Sequence, residues 1–539
     1  MKLYSLVSIL SLATTGFASS SMFIISQDFR IPKNIMFSCF YGGSSHVSWV
    51  IEILDELSRR GHNTFFLTKE DQVKFTKNYP SIITDSIRLT KDDEQREKGI
   101  GILSTPDFLT GMKTVIDANA ATFSKDFLTI KEHIVKNQID LLVCDNLSRP
   151  CIEAALSEKI IFMVTSSFPQ GEDASAPYIN NGLINLKIPT TEFMSLKDRI
   201  IFKFINPARY AFKLRSSIIN ENKMLKSLGV KPVLHLYKKY KDTVKLVNTA
   251  FGFEQGRPVG PLIEFVGPIV LKSHSSLTPE IEEFLSTHRR VAYVAFGQLV
   301  LGSESDGTLV LTGLLESLES KLIDGIIWAT RGEYDMFPSY ITTQSNTTYD
   351  VQSFRQGGKD ILFLNWAPQM AILQHTSTRM FVTHGGAGSL YETSYAGVPV
   401  VVYPFFGDQD SAAVTSEKNG IGLFLNRQES QINANNIIGR VAKDADGQFQ
   451  FNINRFKALV QIKSERGVVR GADVVEEVLF VQKDGKLEYR MDVKRNMSFI
   501  KANNIDLYTF VTSFIICFSY GTWNIVRYFF NTQKKQKII

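Results

Sequence analysis

The residues best placed to do chemistry fall in one stretch, residues 366–409, which reads WAPQMAILQHTSTRMFVTHGGAGSLYETSYAGVPVVVYPFFGDQ. An apolar run over 379–383 meets His384, Gly385, Gly386 and Gly388. Helical spacing follows through Leu390, Tyr391 and Ala396, with Gly397 placed as a C-cap. A second apolar run, 398–403, leads into Gly407, Asp408 and Gln409. The pattern is strand, glycine turn, helix, strand, with polar groups where the strands end. A glycine turn feeding a helix N-terminus offers bare N–H groups to a diphosphate. Open parallel sheets bind ligands at those carboxyl ends.

The elements that must position this stretch alternate between strand and helix. Residues 34–41 form an apolar run bounded by Gly42 and Gly43. Residues 47–60 carry Val47, Val50, Ile51, Leu54 and Leu57 at helical spacing, and 63–68 reads as the next strand. Such a β–α–β opening predicts parallel pairing. Residues 69–101 are polar and mixed and read as a variable loop, whereas 108–137 reads as largely helical. A strand over 139–144 ends at Asp145, followed by a helix at 151–157, a strand at 160–166 and a long loop over 169–189. After a strand at 243–249, residues 255–268 have the Gly/Pro composition of a linker. Strands then recur at 291–296, 325–330, 361–365, 379–383 and 398–403, with a late helix at 473–482. Two such series predict two facing doubly wound α/β domains, 19–254 and 269–482, with a cleft between them.

Bulk properties narrow the class. A chain of 539 residues exceeds one ordinary core, and 44% hydrophobic with 21% charged residues excludes a disordered protein. The net charge of +6 is spread along the chain without a basic patch interleaved with aromatics, which argues against nucleic acid. The four cysteines show no metal-ligand spacing, so no metal is expected. Cys144 and Cys151 read as buried thiols rather than as a local disulfide.

Both ends carry topology signals. Lys2, the apolar run 3–12 and Gly16-Phe17-Ala18 read as a secretory signal peptide over 1–18. A juxtamembrane segment, 483–506, precedes twenty uncharged residues, 507–526, the length of a membrane-spanning helix. Arg527, Lys534, Lys535 and Lys537 then predict a cytoplasmic tail, 527–539, and a lumenal bulk. The last five residues match either a dilysine retrieval signal for the endoplasmic reticulum or a plain basic flank. Three sequons begin at Asn146, Asn346 and Asn496, with Asn346 the best placed acceptor. Residues 194–215 mix aromatic and aliphatic residues with Lys and Arg, and read either as packed helices with a solvated basic face or as an interfacial membrane surface.

Residues 366–409 resemble the nucleotide-sugar signature of UDP-dependent glycosyltransferases, and the whole layout is similar to the membrane-bound UDP-glucuronosyl/UDP-glucosyltransferases. The resemblance implies a GT-B fold with an acceptor-binding N-terminal domain and a UDP-sugar-binding C-terminal domain. It implies inverting transfer without metal or cofactor, the UDP-sugar being a co-substrate. Trp366 would stack on uracil and Gln369 would contact the uridine. His384 and the turn through Gly386, Gly388 and Ser389 would hold the diphosphate, and Glu392 the ribose hydroxyls. Asp408 and Gln409 would bind the sugar. Each residue type suits its role: an indole for a base, carboxylates for vicinal hydroxyls, N–H groups for a leaving diphosphate.

The resemblance places the base in the other domain. His46 stands at the first helix's N-terminus, where the helix dipole favours a neutral imidazole. Asp145 would orient it and stabilise the imidazolium formed in turnover. Local alternatives exist: Ser389-Leu390-Tyr391-Glu392 is also a capping-box sequence, and Asp408 is placed to cap the helix after it. The chain departs from the family at Ala387-Gly388, at Gly297-Gln298 where Gly-Ser is common, and at Asn248 where glucuronosyl-transferring members carry Arg. A missing cation argues for a neutral sugar, most simply glucose. The runners-up are a UDP-glucuronosyltransferase and a catalytically silent membrane-tethered UDP-sugar or lipid binder. A small lipophilic acceptor is expected, and self-association is left open.

Overall fold

The computed structural model describes residues 28–103, 108–180, 188–300 and 302–536. The signal peptide read at 1–18 and the final residues 537–539 lie outside them.

Two parallel sheets dominate. In the N-terminal half, β1 (Asn34–Cys39), β2 (Asn63–Lys69), β3 (Ile82–Ile87), β4 (Leu141–Asp145), β5 (Ile161–Ser166), β6 (Lys245–Val247) and β7 (Ile263–Phe265) lie in the order β3-β2-β1-β4-β5-β6-β7. In the C-terminal half, β8 (Val291–Ala295), β9 (Gly325–Ala329), β10 (Ile361–Leu364), β11 (Thr378–Thr383), β12 (Val400–Val402) and β13 (Gly422–Phe424) lie in the order β10-β9-β8-β11-β12-β13. Every pairing in both is parallel. Parallel strands need crossovers, so both faces are covered and the strands read as continuous apolar runs. Each order reverses once, between β1 and β4 and between β8 and β11. Open α/β sheets form ligand crevices at such reversals.

The helices that matter here are α1 (Ser44–Arg59), α2 (Lys91–Ile102), α3 (Phe108–Lys136), α4 (Arg149–Glu158), α5 (Ala387–Ala396), α6 (Gln409–Lys418), α7 (Gln448–Val481) and α8 (Ile505–Gln536). The long α7 crosses from one half to the other. Its Val468, Ala472, Val475 and Val478 join the core built on Ile35, Phe37, Val50 and Ile53. Gly471 permits this, since a Cβ there would lie 2.4 Å from Ile53 Cδ1. Glu476 fixes the crossing: Arg30 and Arg60 donate to its carboxylate, as does His62 at 3.1 Å. Burial opposes that charge, but these hydrogen bonds hold the carboxyl at about 2.

Three stretches differ from their sequence reading. Residues 69–101 are not a loop but contain β3 and α2, tied inward by buried charges. Lys69 Nζ lies 2.8 Å from Asp126 Oδ1 on α3, and Arg96 donates to Asp93 at 2.8 Å. Polar composition hid the segment because three of its charges, Lys69, Asp93 and Arg96, are buried in ion pairs among others that are solvated, a difference composition does not show. Residues 194–215 do fold as helical turns, Leu196–Ile200, Ile201–Ile205 and Asn206–Lys213, but none of their residues is buried. Cys144 and Cys151 form a disulfide, with Cα atoms 5.6 Å apart, where free thiols were expected.

At the C-terminus, Ile505–Thr532 within α8 is long and apolar enough to cross a membrane, and none of its apolar window is buried against the described residues.

Candidate active site

The two reversals position His46 and Asp145 in one half and Gly297 with the His384–Ser389 stretch in the other, while Trp366 and Gln369 follow β10 and Asp408 and Gln409 follow β12. In the N-terminal half, β1 leads through Gly42 and Gly43 into α1, which carries His46, and neighbouring β4 ends on Asp145. His46 Nδ1 lies 2.8 Å from Asp145 Oδ2. The other oxygen, Oδ1, accepts from the Leu147 N–H at 2.9 Å, which fixes the carboxylate's plane. Gly42 has φ +100°, and a Cβ there would lie 2.7 Å from the His46 ring, so the imidazole sits directly on the turn. The Cys144–Cys151 bridge ties the residue before Asp145 to α4. Asp145 is fully buried.

The electrostatics of His46 correct the sequence expectation. Burial disfavours its imidazolium, but the charge and hydrogen bond of Asp145, with Asp408 from the other half, outweigh it. The pKa is raised, not held down by the helix dipole. A buried carboxylate at contact distance exceeds a partial charge at a helix end.

In the C-terminal half, the turn after β8 supplies Gly297 and the turn after β11 supplies His384 to Gly388. A Cβ at Gly297 would lie 2.7 Å from His384, and one at Gly386 would lie 2.4 Å from its Nε2. The two glycines therefore clasp the ring edge. No carboxylate balances the burial of His384, and its pKa falls to about 4. Gly386 is the N-cap of α5, and Gly397 is its left-handed C-cap, the latter as the sequence suggested. Ser389 lies inside the helix, so the capping-box alternative fails. Gln369 Nε2 instead joins the pair, donating to Ser389 Oγ at 3.2 Å and to Glu392 Oε2 at 2.5 Å. Burial pushes the Glu392 carboxyl up to about 6 against that hydrogen bond.

Asp408 occupies the N-cap position of α6, yet its side chain makes no capping bond. Burial raises its pKa, and the charge of His46 works the other way. Gln409 is buried and its Oε1 accepts from the N–H groups of Phe405 and Phe406 at 2.8 and 3.2 Å. That pins the loop. Trp366 is 65% exposed, with an open indole face.

The halves meet here. A Cβ at Gly388 would be 3.9 Å from Ser45, and one at Gly43 would be 3.3 Å from Gln298 Oε1. One cleft region of about 840 Å³, counted to its open mouth, is lined by Phe168, Glu254, Arg257, Gly385, Ala387 and Asp408 among others. A second, about 420 Å³, is lined by Ser44, Ser45, Asn248, Gly388 and Glu392 among others. Asn248, expected to report on donor charge, uses its Oδ1 to accept from the Ile269 N–H at 2.7 Å. The guanidinium in the cleft wall, Arg257, is held 2.5 Å from Glu254. Sequence reading missed Gly42, the disulfide and this Glu254–Arg257 pair. The Gly-Gly doublet before His46 and the seven-residue cysteine spacing were the available signals.

The model of the UDP-glucuronosyl and UDP-glucosyl transferase family matches residues 191–537. A UDP-glycosyltransferase of Talaromyces amestolkiae is 32% identical over 392 residues, covering 68% of this chain and 72% of the relative. The chain belongs to this family. A Xenopus laevis UDP-glucuronosyltransferase 3A1 is 23% identical across 92% of this chain and 93% of its own. Among solved structures, the glycosyltransferase of kitacinnamycin aligns at TM-score 0.58 and 16% identity over 83% of this chain and 99% of that one. Phytolacca americana UGT2, complexed with UDP-2-fluoro-glucose and pterostilbene, aligns at 0.54 and 18% over 84% and 100%. The fold is GT-B, and this UDP-glycosyltransferase is an enzyme that transfers sugar from a UDP-sugar. The family match starts after His46 and Asp145. Their pairing rests on the geometry.

Proposed function

We propose that this UDP-glycosyltransferase transfers a neutral hexose, glucose first, to a hydroxyl of a small lipophilic acceptor with inversion at the anomeric carbon. The observation that carries the mechanism is the 2.8 Å contact between His46 Nδ1 and Asp145 Oδ2. With Nδ1 engaged, Nε2 takes the acceptor's hydroxyl proton. The oxygen bonds to the anomeric carbon as that carbon's bond to the β-phosphate oxygen breaks, and UDP leaves with the electron pair. The N–H groups at the start of α5 and a neutral His384 donor face the charge that develops on UDP. Asp145 holds the tautomer and balances the imidazolium. Trp366 receives uracil, Gln369 and Glu392 the ribose, and Asp408 with Gln409 Nε2 the sugar. The proposal needs no metal or cofactor.

Two observations support a neutral donor: Asn248 carries no charge, and Arg257 is engaged by Glu254. UDP-glucuronate is the competing donor, because the family spans both and a relative bears that name. We place the enzyme in the endoplasmic reticulum membrane with its catalytic halves lumenal. The apolar α8, the basic residues Arg527, Lys534 and Lys535 toward its C-terminal end and the Cys144–Cys151 bridge support this topology. The test is a donor panel of UDP-glucose, UDP-glucuronate, UDP-N-acetylglucosamine and UDP-galactose with one competent hydroxyl acceptor, run alongside His46→Ala. Preference for UDP-glucuronate would overturn the donor reading. Near-normal transfer by folded His46→Ala would overturn the mechanism.

A further inference from the structure

The exposed helical turns between Leu196 and Lys213 lie outside the chemistry described above. Soluble surfaces carry single apolar residues without consequence, but here they are grouped. Phe193 is 92% exposed, Phe204 70% and Phe212 64%, and Leu196, Ile200 and Ile205 are also exposed. Lys197, Arg199, Lys203, Arg209, Lys213 and Arg215 are exposed among them, with Asp198 the one acid between 194 and 215. Helical segments that mix apolar side chains with Lys and Arg in this way lie at bilayer interfaces.

A second observation says what covers the face. The stem of α8 is bound to the same corner of the molecule. Arg495, ten residues before Ile505, donates to Asp173 Oδ1 at 2.7 Å and also pairs with Asp242. Arg490 donates to Glu264 at 2.7 Å and to the Pro261 carbonyl at 2.8 Å. Four residues past Asp173, the Pro177 carbonyl accepts from Lys203 Nζ at 2.7 Å, within the exposed turns. Ten residues of chain reach about 35 Å at most, so the start of the apolar span cannot stray far from this corner. Val493, Phe499 and Ile500 on the stem are exposed as well. A bilayer that holds α8 is therefore the nearest apolar phase to Phe204 and Phe212.

We propose that this face docks on the phospholipid bilayer as a second membrane contact, its aromatic side chains in the interface and its cations against lipid phosphates. The contact fixes the orientation of the catalytic halves on the α8 stem. It also turns one wall of the cleft toward the membrane, because Phe168, Pro169, Ile179 and Pro189 of the adjoining segment line that cleft. The inference is independent of which acceptor or donor the enzyme uses.

The test uses the full chain in nanodiscs of phosphatidylcholine and phosphatidylserine. Cys517→Ser removes the exposed thiol of the span; Cys39 is buried and Cys144 and Cys151 are bonded. An environment-sensitive fluorophore is placed at Phe204→Cys or Phe212→Cys, with Asp446→Cys in the other half as the water-exposed reference. Interfacial helices bury their apolar face about 5–10 Å into the headgroup boundary, so labels at 204 and 212 should shift to the blue. They should be quenched more by lipids doxyl-labelled near the headgroup than by those labelled near the chain end. Lys197→Glu with Lys213→Glu should reduce that quenching. Phe193→Cys repeats the measurement at a side chain that packs on nothing, should either first variant fail to fold. Unquenched, water-like emission at 204, 212 and 193, matching position 446, would overturn the proposal. So would a blue shift that lipid quenchers do not touch and that grows with protein-to-lipid ratio, since a second copy would then cover the face.

Discussion

The two halves each present a histidine in the same place: past a strand end at the sheet's reversal, on a glycine turn, beside a helix N-terminus. Their electrostatics are opposite. His46 has Asp145 at 2.8 Å and feels Asp408, and its pKa is raised. His384 has burial alone, and its pKa falls to about 4. The backbone frame is therefore not what assigns the chemistry. Under the proposed mechanism, one carboxylate suits the first ring to accepting a proton, and its absence suits the second to donating, as a neutral ring, toward phosphate. The signs also differ for stability. His46 favours folding at pH below its unfolded value, and this is lost as pH rises through the raised one. His384 opposes folding as pH falls from about 6.5 toward about 4, because the unfolded chain takes the proton first.

The largest break in the comparison is His46→Ala, expected to lower kcat by about 10²–10⁴ while leaving UDP affinity unchanged by calorimetry. A parallel loss of UDP binding would put His46 in the donor site instead. The next concerns how each ring is held, by a stapled carboxylate in one half and by glycines in the other. Replacing both Cys144 and Cys151 with Ser should remove about 2.5 kcal/mol of stability for so short a loop, read as a lower denaturation midpoint. Gly386→Ala puts a methyl group 2.4 Å from His384 Nε2. Overpacking of that kind typically costs about 1–3 kcal/mol, so UDP should bind roughly 10- to 100-fold more weakly, with the acid limb of the pH–rate profile unmoved. The smallest effect is Asp408→Asn on His46. Removing that charge should move the acid limb to lower pH, by less than removal of the Asp145 charge does, whatever it does to sugar affinity.

The sequence carried much of this, unevenly. The donor turn was legible because glycine, histidine and capping signals are local, and Gly397 ends α5 where expected. The pairing of His46 with Asp145 was implied by the family resemblance, and the convergence of strand ends in a parallel sheet allowed the contact. The sign of the His46 shift was not legible, because it depends on a buried carboxylate and on Asp408 from the other half. Residues 69–101 looked like loop because ion pairs such as Lys69–Asp126 join residues far apart in the chain. The alternative role of Ser389 as a cap could be set aside only once the start of α5 was known to a residue, and that of Asp408 only because its side chain, though at the N-cap of α6, makes no capping bond. The disulfide was missed because thiol burial and bonding share one apolar sequence context.

The most direct test is the pH dependence of kcat/KM for the wild type and Asp145→Asn, measured at saturating UDP-sugar with the acceptor varied. The account predicts a wild-type acid limb above pH 6.5, the ordinary histidine value, and in Asp145→Asn a lower plateau with the limb moved to more acid pH. A limb at the same pH in both proteins, or a wild-type rate flat from about pH 5 to 7 where a histidine must titrate, would contradict it.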